Sequence, residues 1–255
     1  MEQNTSLSVW PGLDAAQLKY IACGTMLLDH IGASCLEIGL LDGLQDVRVP
    51  FSRLGDPAYP QWAVFLDIAL RLIGRLAFPL YCFLLVEGFL HTRSLRRYAQ
   101  RLLLFGLVSE VPFDWAFLGA PFDMRHQNVY WTLLLGLLAM AGMKRFANED
   151  GGPSAGGLLW VAGCMAVAEL LKTDYSWFGI LLIAALYLWR DDRRTQCTAG
   201  AMLSLYSMVT GSLAFLLVWN YNGARGKGNS KLLYLFYPVH IFILGCGTHF
   251  LILGE

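Results

Sequence analysis

The sequence predicts an all-α membrane protein, a polytopic bundle of about eight transmembrane helices, and three observations predict it. Apolar residues fill 56% of the 255 positions and charged ones only 15%, for a mean hydropathy of +0.49. A soluble chain of this length needs more charge to cover its surface. Apolar stretches suited to a hydrocarbon core of about 30 Å recur from end to end, and Lys and Arg collect in the polar segments between them. The formal net charge is zero, which argues against a nucleic-acid partner.

Eight stretches qualify, at about 17–40, 62–90, 101–120, 128–143, 156–172, 176–190, 198–219 and 231–253. The polar start, Met1 to Pro11, has no signal-peptide pattern, so the first stretch is retained as a helix. The segment from 41 to 61 carries Pro50, Pro57 and Pro60 and reads as an extracytoplasmic loop capping the bundle. Pro79 and Pro112 lie where they would kink the second and third helices. The fifth and sixth are the shortest, flank Asp174 and suggest a tight hairpin. Basic segments at 91–101 (HTRSLRRYAQR), at Lys144 and Arg145, and at 190–194 (RDDRR) fall on one side for an even helix count. That side is read as cytoplasmic, with both termini on it, in the cell's inner membrane. The 220–231 segment, NYNGARGKGNSK, then falls on the opposite face. The whole chain, 1–255, reads as a single membrane domain. Six cysteines occur without CxxC or CxxH spacing and mostly inside apolar runs, so neither disulfides nor a metal site is expected.

Ionisable groups within a bilayer cost several kcal/mol each and mark function by default. Asp29 and His30 lie on the first helix, Asp67, Arg71 and Arg75 on the second, Glu110 and Asp114 on the third, Glu169 on the fifth, and Tyr237 and His240 on the last. At ~1.5 Å per residue, His30 is about 18 Å and His240 about 17 Å from the same side of the core. Arg75 and Glu110 come out at a similar level. These four are therefore candidates to meet at mid-depth, with Asp29 turned away from His30 and towards Arg71 or Arg75, because adjacent helical side chains diverge. Lys19, eleven residues before His30, shares its face. The stretch Gly223–Asn229 has the make-up of an anion cradle, with free backbone N–H groups and the cations Arg225 and Lys227. It is not a Walker loop, since Gly follows Lys227.

Five segments together resemble the TraX family: LLDHIG (27–32), GRLAFPLYCFL (74–84), QNVYWTLLLGLL (127–138), DYSWFGILL (174–182) and YNGARGKGNSKLLYLFYPVHIFIL (221–244). The resemblance runs from about 18 to 250. It implies a membrane acetyltransferase, since that family is known for N-acetylating the amino terminus of F-type pilin. The family is similar in turn to transmembrane acyltransferases, which draw acyl groups from cytoplasmic acyl-CoA and commonly carry Arg, ten residues, then His on the first helix. Lys19 and His30 match that spacing, with Lys in place of Arg, and Lys lacks the bidentate fork for phosphate.

The function expected from residues and resemblance together is transfer of acetyl from acetyl-CoA to an amine or hydroxyl acceptor, with membrane lipid around the bundle and no metal. His30, Asp29, Arg75, Glu110 and His240 are the catalytic candidates, His30 first as base. Lys19 and Arg71, with Arg93, Arg96 and Arg97 nearby, are candidates for the acyl-CoA side. Asn128, Tyr175, Arg225, Lys227, Lys231 and Tyr237 are candidates for the acceptor, a peptide amino terminus or glycan entering from the outer side. A proton-coupled carrier and a non-enzymatic assembly factor are the competing readings, since buried acids, bases and histidines also build proton relays.

Overall fold

A computed structural model describes residues 12–41, 49–149, 151–207, 209–228 and 230–254, with backbone only at 49–50, 206–207, 230–233 and 251–253. The described residues form helices, with two isolated bridges, Leu13 to Tyr221 and Gln127 to Thr173, and no sheet. The helices are α1 (Ala15–Ile31), α2 (Val49–Ser52), α3 (Gln61–Gly74), α4 (Ala77–His91), α5 (Leu95–Leu118), α6 (Val129–Arg145), α7 (Ala155–Leu170), α8 (Ser176–Leu188), α9 (Arg193–Ser207), α10 (Ala214–Trp219) and α11 (Ser230–Cys246). Wider π turns, Gly32–Ile38 and Gly247–Leu253, extend α1 and α11. Among the described residues two stretches, Ala15–Ile38 and Gln61–His91, are long and apolar enough to cross a membrane; Ala155–Leu170, Ser176–Leu188 and Val209–Trp219 are apolar but shorter.

Local chemistry sets the boundaries. Asp14 and Gln17 close a reciprocal capping box on α1, Gln17 N–H to Asp14 Oδ1 at 2.8 Å and Asp14 N–H to Gln17 Oε1 at 2.9 Å. Ser94, Asn128 and Ser154 cap α5, α6 and α7. The second predicted helix is broken at Arg75–Leu76, because Pro79 has no N–H to offer the Arg75 carbonyl; Pro79 instead sits in the first turn of α4, where that donor is not needed. Helix α4 lies in the core: Leu80, Cys82, Phe83 and Val86 are fully buried, with Leu18 and Ala22 of α1 and Leu137 and Met140 of α6. All six cysteines are free.

The seventh predicted span is different. After α9 the chain turns through a 3₁₀ segment, Val209–Leu213, and α10 packs back against α9. It returns to α1, where Leu13 N–H donates to the Asn220 carbonyl (2.8 Å), Asn222 N–H to Leu13 (2.9 Å) and Ala15 N–H to Ala224 (2.9 Å). The 220–228 segment therefore lies at the amino-terminal end of α1, not on the opposite face. The helix that follows runs the other way from that predicted. Its π turn reaches the far end of α1, Ser34 and Thr248 hydroxyls being 2.7 Å apart. Placing both chain ends on one side does not follow from this geometry.

Candidate functional site

The site grows from an irregularity in α11. Pro238 has no N–H, so the Tyr234 carbonyl four residues back lacks its helical donor, and the Tyr130 hydroxyl of α6 donates to it at 3.0 Å. One turn on, His240 Nδ1 is 2.6 Å from the Phe236 carbonyl and His240 Nε2 is 2.6 Å from His30 Nδ1. The two imidazoles are within 8° of parallel, their centroids 4.9 Å apart. Phe236 stacks on His240 and Phe117 tilts against His30. Tyr237 stands edge-on to both histidines, its centroid 5.8 Å from each.

A cavity of about 790 Å³ runs between α1, α4, α5, α6 and α11, a volume suited to a ligand of cofactor size. Its mouth carries Lys19, Arg93, Arg101 and Arg225, none with an ion pair among the described residues. Apart from Glu87 and His91, which also line it, its walls are uncharged: Cys23, Tyr81, Tyr98, Tyr130 and Tyr234, with the Cys23 thiol 3.1 Å from the Tyr81 hydroxyl. The inner end is formed by Met26 and Tyr237, so the histidine pair lies directly behind the Tyr237 ring. Tyr221, at the rim, bonds Glu87, and its hydroxyl is pushed up to about 12 by burial first and Glu87 second.

The predicted constellation is thus rearranged. His30 and His240 do meet, and Lys19 and Tyr237 line one cavity. Glu110 does not join them: it accepts from Trp131 Nε1 and lies beside Asn128 and Asp114. Arg75 ends α3 and bonds Tyr175 beside Asp174. Arg71 is held by Asp29 at 2.6 Å and by Glu37 at 3.4 Å and does not line the cavity, so it is not with Lys19. Asp67, buried in the same cluster, has neither oxygen bonded among the described residues. Asn128 is spent on structure, donating to the Gly106 carbonyl (2.8 Å) and accepting from Tyr130 N–H (3.0 Å). Tyr175 stacks face to face on Phe78 at 3.6 Å. Arg225 stands beside Lys19 on the cavity rather than across the bundle, and Lys227 is exposed nearby. The side chain of Lys231 lies outside the described residues. In the turn between α7 and α8, Asp174 is raised to about 6 by burial, with Arg75 pulling the other way. Among the described residues no group of His, Cys, Asp and Glu is arranged to hold a metal ion.

The wall residues Tyr81, Tyr98, Tyr130 and Tyr234, and Arg101, were not among the sequence candidates. Arg101 carried a signal, since it follows Tyr98 by three residues, and in the fold it lies over the Tyr98 and Tyr234 rings while Tyr98 bonds Tyr234. The Phe236 carbonyl carried none beyond the nearby proline.

No solved structure matches this chain. A curated relative, the probable fimbrial assembly protein FimC, serogroup H1, of Dichelobacter nodosus, is 32% identical over 266 residues, covering 93% of this chain and 96% of that protein. The TraX protein family model matches residues 14–246, from the Asp14 cap through the cavity helices to the end of α11. A match that spans the cavity and both histidines makes this chain a member of the TraX family.

Proposed function

We propose that this chain is a membrane-embedded acyltransferase that moves an acetyl group from acetyl-CoA to an amine or hydroxyl acceptor. The observation that carries the reading is a cavity with a basic mouth and largely uncharged walls, closed at its inner end by Tyr237, whose ring packs against a hydrogen-bonded histidine pair. The phosphates of the donor would meet Lys19, Arg93, Arg101 and Arg225, and its uncharged arm would follow the tyrosine-lined wall to Met26 and Tyr237. There the acceptor nitrogen or oxygen attacks the thioester carbonyl, the new C–N or C–O bond forms, the C–S bond breaks and the thiolate leaves. His30 takes the acceptor proton and returns it to the thiolate. Membership of the TraX family and a relative named for fimbrial assembly support a pilin subunit as the acceptor.

Embedding in the cytoplasmic membrane by about eight helical segments, of which the α9–α10 return enters and leaves on the same side, belongs to the same reading. It is supported by an outer surface that leaves Leu159, Leu170 and Met202 more than 70% exposed.

The test is detergent-purified protein with labelled acetyl-CoA, measuring binding, CoA release and labelled acceptor. His30→Ala should abolish CoA release in a folded protein. Activity within about threefold of the parent removes His30 as base. Lys19→Ala and Arg225→Ala should raise KM for acetyl-CoA more than they lower kcat; an unchanged KM takes the donor away from that mouth.

A proton-coupled carrier is the second reading, favoured by the Asp29, Glu37 and Asp67 carboxylates around one Arg71. Substrate uptake into proteoliposomes without any acyl donor would support it.

A further inference from the structure

We propose that His240 is a positioning residue, fixing His30 in the tautomer that carries its proton on Nδ1 and leaves the Nε2 lone pair as the basic atom. Its use in catalysis rests on the acyl-transfer reading; the tautomer itself does not. The Phe236 carbonyl can only accept, so at 2.6 Å His240 Nδ1 must carry a hydrogen. In the neutral ring its Nε2 is then a lone pair. His30 Nδ1, 2.6 Å from that lone pair, must supply the hydrogen between them. The neutral His30 has one N–H, now spent, so its Nε2 is bare. Among the described residues no group bonds that nitrogen.

A fixed carbonyl at one end thus dictates the state of an atom two rings away. The arrangement is built to hold: α11 supplies both Phe236 and His240, the Phe236 ring covers His240 at 4.6 Å, and His240 is 6% exposed. Nearby charges are Arg71, Asp29 and Glu37 from α1 and α3, which pair with one another. From α5 the nearest contact is the neutral Phe117 ring, and from α11 Tyr237.

During transfer the acceptor proton passes to His30 Nε2, the His30 Nδ1 proton moves into His240 Nε2, and the pair holds one added charge. The Phe236 carbonyl, still accepting from His240 Nδ1–H, stabilises that imidazolium. The reverse shift delivers one proton to the departing thiolate, so no proton is left over and no redox partner is needed.

The experiment is nitrogen NMR of histidine-labelled protein in nanodiscs, with His30 assigned by its loss in His30→Gln. The parent should show His30 protonated at Nδ1 and bare at Nε2. His240→Leu should lose that signature and, where CoA release is measured, lower kcat on the order of 10²-fold with KM for acetyl-CoA unchanged. His240→Gln keeps an oxygen able to accept from His30 Nδ1–H, and should retain the signature and most of kcat. A parent His30 protonated at Nε2, or a His240→Leu protein with the parent's tautomer and kcat, overturns the assignment. The expected NMR result in a protein that never releases CoA upholds the tautomer and instead sinks the acyl-transfer reading.

Discussion

Single side chains set how closely α1 and α3 approach. A Cβ on Gly74 would lie 2.3 Å from the Asp29 side chain, and one on Gly32 would lie 2.8 Å from Asp67 Oδ1. Both glycines therefore let the helices close over the Asp29–Arg71 pair. Gly74→Ala should push Asp29 off Arg71 and destabilise the fold by about 1–3 kcal/mol, read as a lower Tm in detergent; an unchanged Tm would mean the helices separate freely. At this scale the sequence revealed depth but not direction. His30 and His240 were paired from helical rise with the last helix running the wrong way, and the pairing survives the reversal because His240 sits near the middle of that helix, at similar depth from either end. Glu110 has the same depth, yet its face of α5 meets Trp131 of α6, and nothing in one sequence tells which way a helix is turned when its neighbours are unknown. Asp29 turning to Arg71 was legible, because adjacent helical residues diverge by geometry.

Among the elements, the turn joining α7 and α8 is the most constrained. Lys172, Tyr175 and Ser176 all have positive φ (52°, 61° and 43°), a region that costs side-chain-bearing residues energy. What holds them is the Thr132 hydroxyl on the Asp174 carbonyl, the Gln127 backbone pairing on both sides of Thr173, and Phe78 stacked on Tyr175. The turn presents Asp174 towards Arg75 with its acid raised to about 6. The folded state therefore keeps a proton there that the unfolded chain has lost, so stability falls as pH rises from about 4 to 6. Asp174→Asn should flatten the Tm profile across that interval; the same fall in the variant would clear Asp174 as its cause. A tight hairpin here was readable from two short apolar runs either side of Asp174. The return of α9 into α10 was not: hydropathy registers how long an apolar run is, not whether it goes through or comes back.

For the molecule as a whole, that return gathers the cations. Arg93, Lys19 and Arg225 share one cavity mouth, Arg193 lies over Tyr221 at 5.2 Å, and Lys144 reaches Phe89 near the end of α4. The basic segment that contradicted the rest in the sequence belongs with them, so the charge asymmetry expected of a membrane protein is cleaner in the fold than in the linear count. Single cysteines at Lys227, Arg194 and Asn148, in a background without the native ones, should react with an impermeant thiol reagent from one side of sealed vesicles. One at Asp56 should react from the other. Opposite sidedness for Lys227 and Arg194 would reject the α9–α10 return.

One consequence concerns inheritance. The Tyr130 hydroxyl stands in for a backbone N–H that Pro238 lacks, so the two positions are a single unit of selection. In the parent, Tyr130→Phe leaves the Tyr234 carbonyl without its donor and costs about 1–3 kcal/mol. Once Pro238→Ala has restored the helical N–H, the same loss becomes nearly silent. A lineage is free to discard the phenol only after it has discarded the proline, and the order of those two events is written in one hydrogen bond.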